Sequence, residues 1–190
     1  MDRILIVSAN EKSAKNLENL ISKVNSPSSF TLLTSAANAR RTLFDENYDY
    51  LVVNSPLLDD NAIQLCLTAS ANTDAGILLF VKEELFDQTI SECTASGIAV
   101  ISKPIIMPVL SQSFSLLKSV RGQIVKLKRD NAKLQTKLDE VKLISQAKCL
   151  LIEKKGCSES EAHHLIERRA MNARISAKEA AGQILRIYSD

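Results

Sequence analysis

The first half of the chain alternates short apolar runs with longer stretches of helical spacing, and this alternation constrains the fold more than any other feature. The apolar runs lie at residues 4–7, 30–33, 50–53, 77–81 and 99–101. The helix-like stretches between them lie at about 11–24, 36–46, 60–70 and 84–96. Strands that alternate with helices predict a parallel sheet covered by helices on both faces, and nearly continuous apolar runs fit strands that are buried on both sides.

Five such strands fit a flavodoxin-like sheet with the strand order 2-1-3-4-5, in which functional groups lie beyond the carboxyl ends of the strands. The third strand ends at Asn54. An amide is a poor nucleophile and cannot ionise, so this position favours hydrogen bonding, to Lys103 or to a turn amide, over group transfer. Asp59 and Asp60 lie further along, and we expect them to begin the next helix, where their charge suits the helix dipole.

The composition excludes several classes of protein. The chain has 190 residues, of which 45% are apolar and 24% charged, and no apolar stretch is long enough to span a membrane. The four cysteines are scattered and the two histidines are adjacent, so the sequence predicts no zinc site and no disulfide framework. It shows no catalytic triad and no glycine loop for phosphate. We expect no enzyme activity, no cofactor and no metal site, in a reduced cytoplasmic protein whose N-terminus is a strand and not a signal peptide.

Charge is unevenly divided along the chain. Residues 1–117 hold eight Lys or Arg and thirteen Asp or Glu, whereas residues 118–190 hold sixteen and nine. Such asymmetry indicates a half that binds nucleic acid; the alternative is a solvated helical surface with no such role.

A heptad pattern occupies the middle of the chain. No proline follows Pro108, and no glycine occurs between Gly122 and Gly156. Apolar residues at alternating steps of four and three predict a linker helix over 118–142 that forms a parallel two-stranded coiled coil, with an asparagine fixing the register. The alternative is a single amphipathic helix packed on its own N-terminal domain. The predicted seam consists of Val120, Ile124, Leu127, Asn131, Leu134, Leu138 and Val141.

The C-terminal segment predicts a small all-α domain over 143–190. Gly156 is well placed to end the long helix. Two capping boxes, Ser158 with Glu161 and Ser176 with Glu179, predict helices at about 159–173 and 177–188. Apolar faces on these helices can pack against the end of the long helix, and we expect Tyr188 in that core.

The N-terminal strands resemble those of a two-component receiver domain, over 1–117. The matching segments are MDRILIVSAN, YDYLVVNSPLLDD and AVISKPI. The resemblance implies an aspartate phosphoacceptor after strand three, a magnesium-binding acidic pair after strand one, a Ser or Thr after strand four and a lysine after strand five. Here Asn54 replaces the acceptor, and Val81-Lys82 follows strand four. Ser8, Ala9 and Asn10 fill the acidic pocket, and only Lys103, with Pro104, matches. We expect a degenerate receiver that is not phosphorylated and that senses a partner, or a ligand such as a small anion.

The tail resembles an ANTAR domain, named for transcription antitermination regulators, from about 130 to 188. The matching words, in order, are Gln146-Ala147-Lys148, Glu161-Ala162-His163 and the run from Arg168 to Asn172. The resemblance implies binding to paired stem-loops in leader RNA by a homodimer. Because the phosphate switch is missing, we expect regulation by a partner such as a sensor protein or histidine kinase. The predicted RNA contacts are Ala147, Lys148, Lys154, Lys155, Arg168, Arg169, Asn172, Arg174 and Lys178.

Alternatives stay open at two levels. A helix-turn-helix drawn through 159–173 and 177–188 would make a DNA-binding response regulator, and a pure protein-interaction module would bind no nucleic acid. At single positions, Arg168 or Arg169 could pair with Glu167 or Glu161 on the surface, and Ala147 could simply pack between helices.

Overall fold

The computed structural model describes residues 1–188, and its first half is a five-stranded parallel sheet. The strands are β1 (Asp2–Ser8), β2 (Ser28–Leu33), β3 (Tyr50–Asn54), β4 (Gly76–Lys82) and β5 (Ile98–Lys103). Their order across the sheet is β2-β1-β3-β4-β5, which confirms the predicted flavodoxin-like arrangement. The register places Ser8 beside Asn54 and Lys82 beside Lys103 at the carboxyl edge of the sheet.

Helices cover both faces of this sheet. Helix α1 (Glu11–Val24) and the start of α5 (Met107–Lys155) pack on one face. Helices α2 (Ala36–Asp45), α3 (Ala62–Asn72) and α4 (Phe86–Cys93) pack on the other. The predicted helix over 84–96 is divided, because 3₁₀ turns at Glu83–Leu85 and Thr94–Ser96 flank α4. Gly97, at a φ of 68°, then takes the left-handed conformation that leads into β5.

The prediction for Asp59 was wrong in its choice of helix. Its carboxylate accepts hydrogen bonds from the Ser35 hydroxyl at 2.8 Å and the Ala36 amide at 3.1 Å, at the start of α2. These bonds hold the pKa of Asp59 below its ordinary value. Asn61, not an aspartate, caps α3. The loop after β3 is therefore tied to the neighbouring helix in space and not to the next one in sequence.

The chain forms two compact units, Met1–Val125 and Lys126–Asp190, and α5 contributes residues to both. In the first unit, Leu110 and Phe114 of α5 are buried against the sheet. Within residues 1–188, no helix combines the length and the apolar character needed to cross a membrane.

The second unit joins the end of α5 to α6 (Glu159–Ala173) and α7 (Ala177–Tyr188), as the sequence predicts. Gly156 follows α5 with a φ of 63°. Both capping boxes are formed, since each serine exchanges hydrogen bonds with the glutamate three residues later. The small core is rich in alanine, which lets the helices approach closely. Its buried members are Ala147, Leu151, Ala162, Ile166, Ala170, Ala180, Ala181 and Ile184.

Candidate nucleic-acid interface and receiver pocket

At the carboxyl edge of the sheet, an amide and a hydroxyl stand side by side. Asn54 Nδ2 donates a hydrogen bond to Oγ of the fully buried Ser8 at 2.9 Å. The Oδ1 atom of Asn54 is buried without a hydrogen-bond partner among the described residues. Lys103 donates its ammonium hydrogen bond to the carbonyl oxygen of Ser55. Asn54 therefore bonds to Ser8, and not to Lys103 or a turn amide as we expected. The reason is the register of the sheet, which places the end of β1 beside the end of β3.

The electrostatics of this pocket do not fit a magnesium site. Burial lowers the pKa of Lys103, and the charge of Lys82 on the adjacent strand lowers it further. Asn10 uses its side chain to cap α1, accepting from the Ser13 amide at 2.9 Å, and Ala9 offers no ligand. Magnesium requires hard anionic oxygen ligands, and the residues matching the acidic pair and the acceptor supply none.

Other acidic side chains do not substitute for the missing ligands. Asp59 is engaged at the start of α2, and Asp60 forms an ion pair with Arg40. In the part of the chain that the structure describes, no three His, Cys, Asp or Glu side chains converge as a metal site would require.

The predicted seam forms an exposed stripe along α5. Its apolar side chains are between 42% exposed, at Ile124, and 68% exposed, at Leu127. Asn131 is exposed among them. Apolar surface of this extent is unfavourable in water.

Most of the predicted RNA contacts lie on the surface of the second unit. One prediction is corrected: Ala147 has no exposed surface and packs in the core, so its side chain cannot contact RNA. Lys148 is only 22% exposed and pairs with Glu159 at 3.2 Å. The exposed members of the predicted set are Lys154, Lys155, Arg168, Arg169, Asn172, Arg174 and Lys178.

The two arginines of the RRAMN word are not neutralised by acidic neighbours on their own helix. Glu161 caps α6 with Ser158, and Glu167 faces His163 and His164. Arg169 Nε instead donates to the amide oxygen of Gln183 on α7 at 3.1 Å. The ion pairs considered for Arg168 and Arg169 are therefore absent from the described residues, and both guanidinium groups keep their charge at the surface.

These side chains border a groove of about 460 Å³ between the ends of the three helices. The Lys155 ammonium lies 5.6 Å from the centre of the Tyr188 ring. Tyr188, which we expected in the core, packs half-buried against that core and also lines the wall of the groove. Sequence reasoning did not include Tyr188 or Gln183 among the RNA contacts, although the sole Phe, Tyr or Trp after residue 117 was a usable signal. The groove is lined by Leu151, Lys155, Leu165, Arg168, Arg169, Asn172, Ala173, Gln183, Ile184 and Tyr188.

Comparison with known proteins assigns the two halves separately. Residues 132–185 match the ANTAR domain family. The N-terminal half is similar to solved receiver structures. A receiver domain of an HD domain-containing protein from Pseudomonas fluorescens Pf-5 is 17% identical, with a TM-score of 0.57, over 66% of this chain and 92% of that one. A response regulator from Clostridium difficile is 20% identical, with a TM-score of 0.53, over 63% and 97%.

A receiver domain protein from Clostridium thermocellum is 11% identical, with a TM-score of 0.58, over 65% of this chain and 99% of that one. Identities this low establish the fold of the first half and nothing about its chemistry. Among curated proteins, none matches this chain.

Proposed function

Because this chain joins a receiver fold to an ANTAR domain, we propose that it is a transcription antitermination regulator that binds paired stem-loops in the leader of a nascent transcript. By holding the antiterminator structure, it allows the polymerase to read past a terminator hairpin. The observation that carries the proposal is the groove of the second unit, where Lys155, Arg168, Arg169 and Asn172 gather around an aromatic ring.

The chemistry of this surface suits RNA. Folded RNA presents phosphates at high density, and exposed lysine and arginine side chains neutralise them with release of counterions. Loop bases are read by stacking on aromatic or guanidinium planes and by hydrogen bonds to their edges. Arg168 is exposed and Asn172 offers both a donor and an acceptor, so the groove supplies both kinds of contact.

The exposed stripe of α5 supports a homodimer through a parallel coiled coil. A buried asparagine pair at Asn131 would fix the register of the two helices. A dimer presents two C-terminal units, one for each stem-loop, and linking two binding modules raises the overall affinity without any new contact.

The receiver pocket supports control by a route other than phosphorylation. Asn54 cannot accept a phosphoryl group, and the pocket lacks carboxylates for magnesium. A protein partner, such as a sensor protein or histidine kinase, then acts on the N-terminal unit by docking. The whole chain acts in the cytoplasm as a regulator and not as an enzyme.

The geometry disfavours the DNA-binding alternative. In a helix-turn-helix, α7 would present its polar side chains to the major groove. Gln183 is instead held by Arg169, and Arg186 Nε donates to the Gly182 carbonyl oxygen of its own helix at 3.4 Å. Of the three side chains that could read bases, Lys178 is the one that makes no hydrogen bond within the described residues, while Gln183 keeps only its NH₂ group as a free donor.

Cross-linking of the protein to RNA in its own cells, followed by sequencing, supplies the test substrate. We expect leaders in which two hairpins precede a coding region, the second overlapping a terminator. In single-round transcription on such a template, the protein should raise read-through, and the Arg168→Ala/Arg169→Ala variant should not. Lys12→Ala/Lys15→Ala, which removes two exposed charges from the N-terminal unit, should behave as wild type. Unchanged termination with the wild-type protein would contradict the proposal.

A further inference from the structure

We propose that the groove of the second unit holds one unstacked base of an RNA loop against the ring of Tyr188. This inference rests on the proposed RNA binding and assigns a role to a residue outside the predicted contact set. The groove, at about 460 Å³, falls within the range of roughly 300–1,000 Å³ that is typical of small-molecule sites. It has room for a nucleobase with part of its sugar.

The floor and wall of the groove are apolar, as a base face requires. Leu151 and Ile184 are 2% and 4% exposed and form part of the core beneath it. The Tyr188 ring, half-buried beside them, is the only aromatic surface of the unit, apart from its two histidines, within the described residues. Every base has a π-face, and stacking on an aromatic side chain contributes about 1–3 kcal/mol per base.

The position of Lys155 over the Tyr188 ring indicates where the base and a phosphate of the RNA would bind. The Lys155 ammonium lies 5.6 Å from the ring centre. A base that stacks on this face displaces the ammonium sideways, and the ammonium then forms an ion pair with a phosphate of the same RNA. The exchange replaces an exposed cation–π contact, which is weak, with an ion pair to RNA.

The polar groups at the rim can read the edge of the base. Arg169 Nε holds the amide oxygen of Gln183 at 3.1 Å, which fixes the orientation of that amide and leaves its NH₂ group to donate. Asn172 lines the same groove and is exposed. Amide groups pair well with base edges because each can donate and accept.

A double-mutant cycle between protein and RNA tests this subsite. The probe is an RNA hairpin selected with the full-length chain from a pool with a common stem and a randomised loop. Each loop nucleotide is replaced in turn by an abasic one. For the wild-type protein, one abasic position should weaken binding roughly 5- to 100-fold, as expected for the loss of one stacked base. With Tyr188→Leu, the same abasic position should change binding less than about twofold, because the stack is already lost.

Matched variants separate stacking from folding. Tyr188→Phe keeps the ring and should retain the full abasic effect, while Ile187→Ala truncates an exposed neighbour that does not line the groove and should behave as wild type. Circular dichroism of each variant reports whether α7 is intact.

The outcomes distinguish the subsite from the function on which it rests. If the wild-type protein retards no hairpin from the pool, RNA binding and the subsite both fail. If hairpins bind but each abasic replacement costs the wild-type protein and the Tyr188→Leu variant the same affinity, the subsite is wrong and RNA binding stands. If free AMP, GMP, CMP or UMP competes with the hairpin at micromolar concentration, the groove is a mononucleotide site, and the assignment to a loop base is overturned.

Discussion

The Arg121 guanidinium contacts the Asp49 carboxylate at 2.5 Å and lies 5.6 Å from the centre of the Tyr50 ring. Tyr50 in turn packs against Phe114, with ring centres 4.8 Å apart. Gly76 lies so close to the Tyr50 ring that an added Cβ would be 3.0 Å from a ring carbon. These contacts fix α5 to the amino edge of the sheet at the point where the exposed seam residues begin.

Removing the Arg121 contact should destabilise the N-terminal unit. Arg121→Ala loses an ion pair, a cation–π contact and packing on Tyr50, and we expect about 1–3 kcal/mol less free energy of unfolding. Arg129→Ala removes an exposed arginine from the same helix and should change this free energy by less than about 0.5 kcal/mol. Urea unfolding followed by tyrosine fluorescence measures both. Equal midpoints for the two variants would show that the contact contributes nothing.

The receiver pocket should not take up phosphate. Incubation with acetyl phosphate and magnesium should leave no acyl phosphate on the wild-type chain, because Asn54 is not a nucleophile. Asn54→Asp should stay unmodified as well, since Ser8, Ala9 and Asn10 supply no carboxylate to bind magnesium. Phosphate incorporated into the wild-type protein, measured by intact-mass spectrometry at neutral pH, would refute the degenerate pocket.

The seam should control both the oligomeric state and the affinity for RNA. Leu134→Asp places a charge in the centre of the predicted coiled coil and should convert the dimer to a monomer. Affinity for a two-hairpin RNA should then fall by about 10²-fold or more, because the second domain is no longer linked to the first. Thr136→Asp adds the same charge on another face of the helix and should leave the dimer intact. A Leu134→Asp variant that still sediments as a dimer would disprove the seam.

The capping boxes should make the stability of α6 and α7 depend on acidic pH. Hydrogen bonds from the Ser158 amide and hydroxyl lower the pKa of Glu161 below its ordinary 4.5, and Ser176 lowers that of Glu179 in the same way. A lowered folded-state pKa contributes stability above the unfolded-state value, and this contribution is lost as the pH falls through the folded-state pKa.

The melting temperature of the helices in the second unit should therefore stay constant from neutral pH down to about 4.5 and should fall below that pH. In Glu161→Gln/Glu179→Gln the decline should be shallower, whereas Glu153→Gln, outside either cap, should follow the wild type. Thermal melts by circular dichroism at several pH values measure this. Identical pH profiles for the double variant and the wild type would contradict the linkage.

The parts of the fold that depend on local pattern were predictable from the sequence. Continuous apolar runs located all five strands, and Ser158 with Glu161 located the start of α6, because these signals involve residues near one another in the chain. The partner of Asp59 was not predictable. Its contact with Ser35 depends on how two loops meet across the sheet, and no short-range signal encodes that.

The candidate site likewise contains some features that were predictable from the sequence and some that were not. Exposed basic residues such as Arg168 were identified by their position on the polar face of a helix. Ala147 was assigned the wrong surroundings, and the groove-facing side of Tyr188 was not foreseen, because burial among three helices depends on their crossing geometry. Ala147 is small and lies where the helices cross closely, so it is enclosed. The Tyr188 ring lies near the end of α7 beside Lys155 and stays partly exposed.

The most direct measurement is the affinity of the full-length chain for a two-hairpin leader RNA and for duplex DNA of the same sequence, across a range of salt concentrations. We expect tighter binding to the RNA, an affinity that falls linearly with salt on logarithmic axes, and a slope that becomes shallower by about 1 when Lys155 is changed to alanine. Tighter binding to the duplex, or RNA binding that is insensitive to salt, would contradict the proposed function.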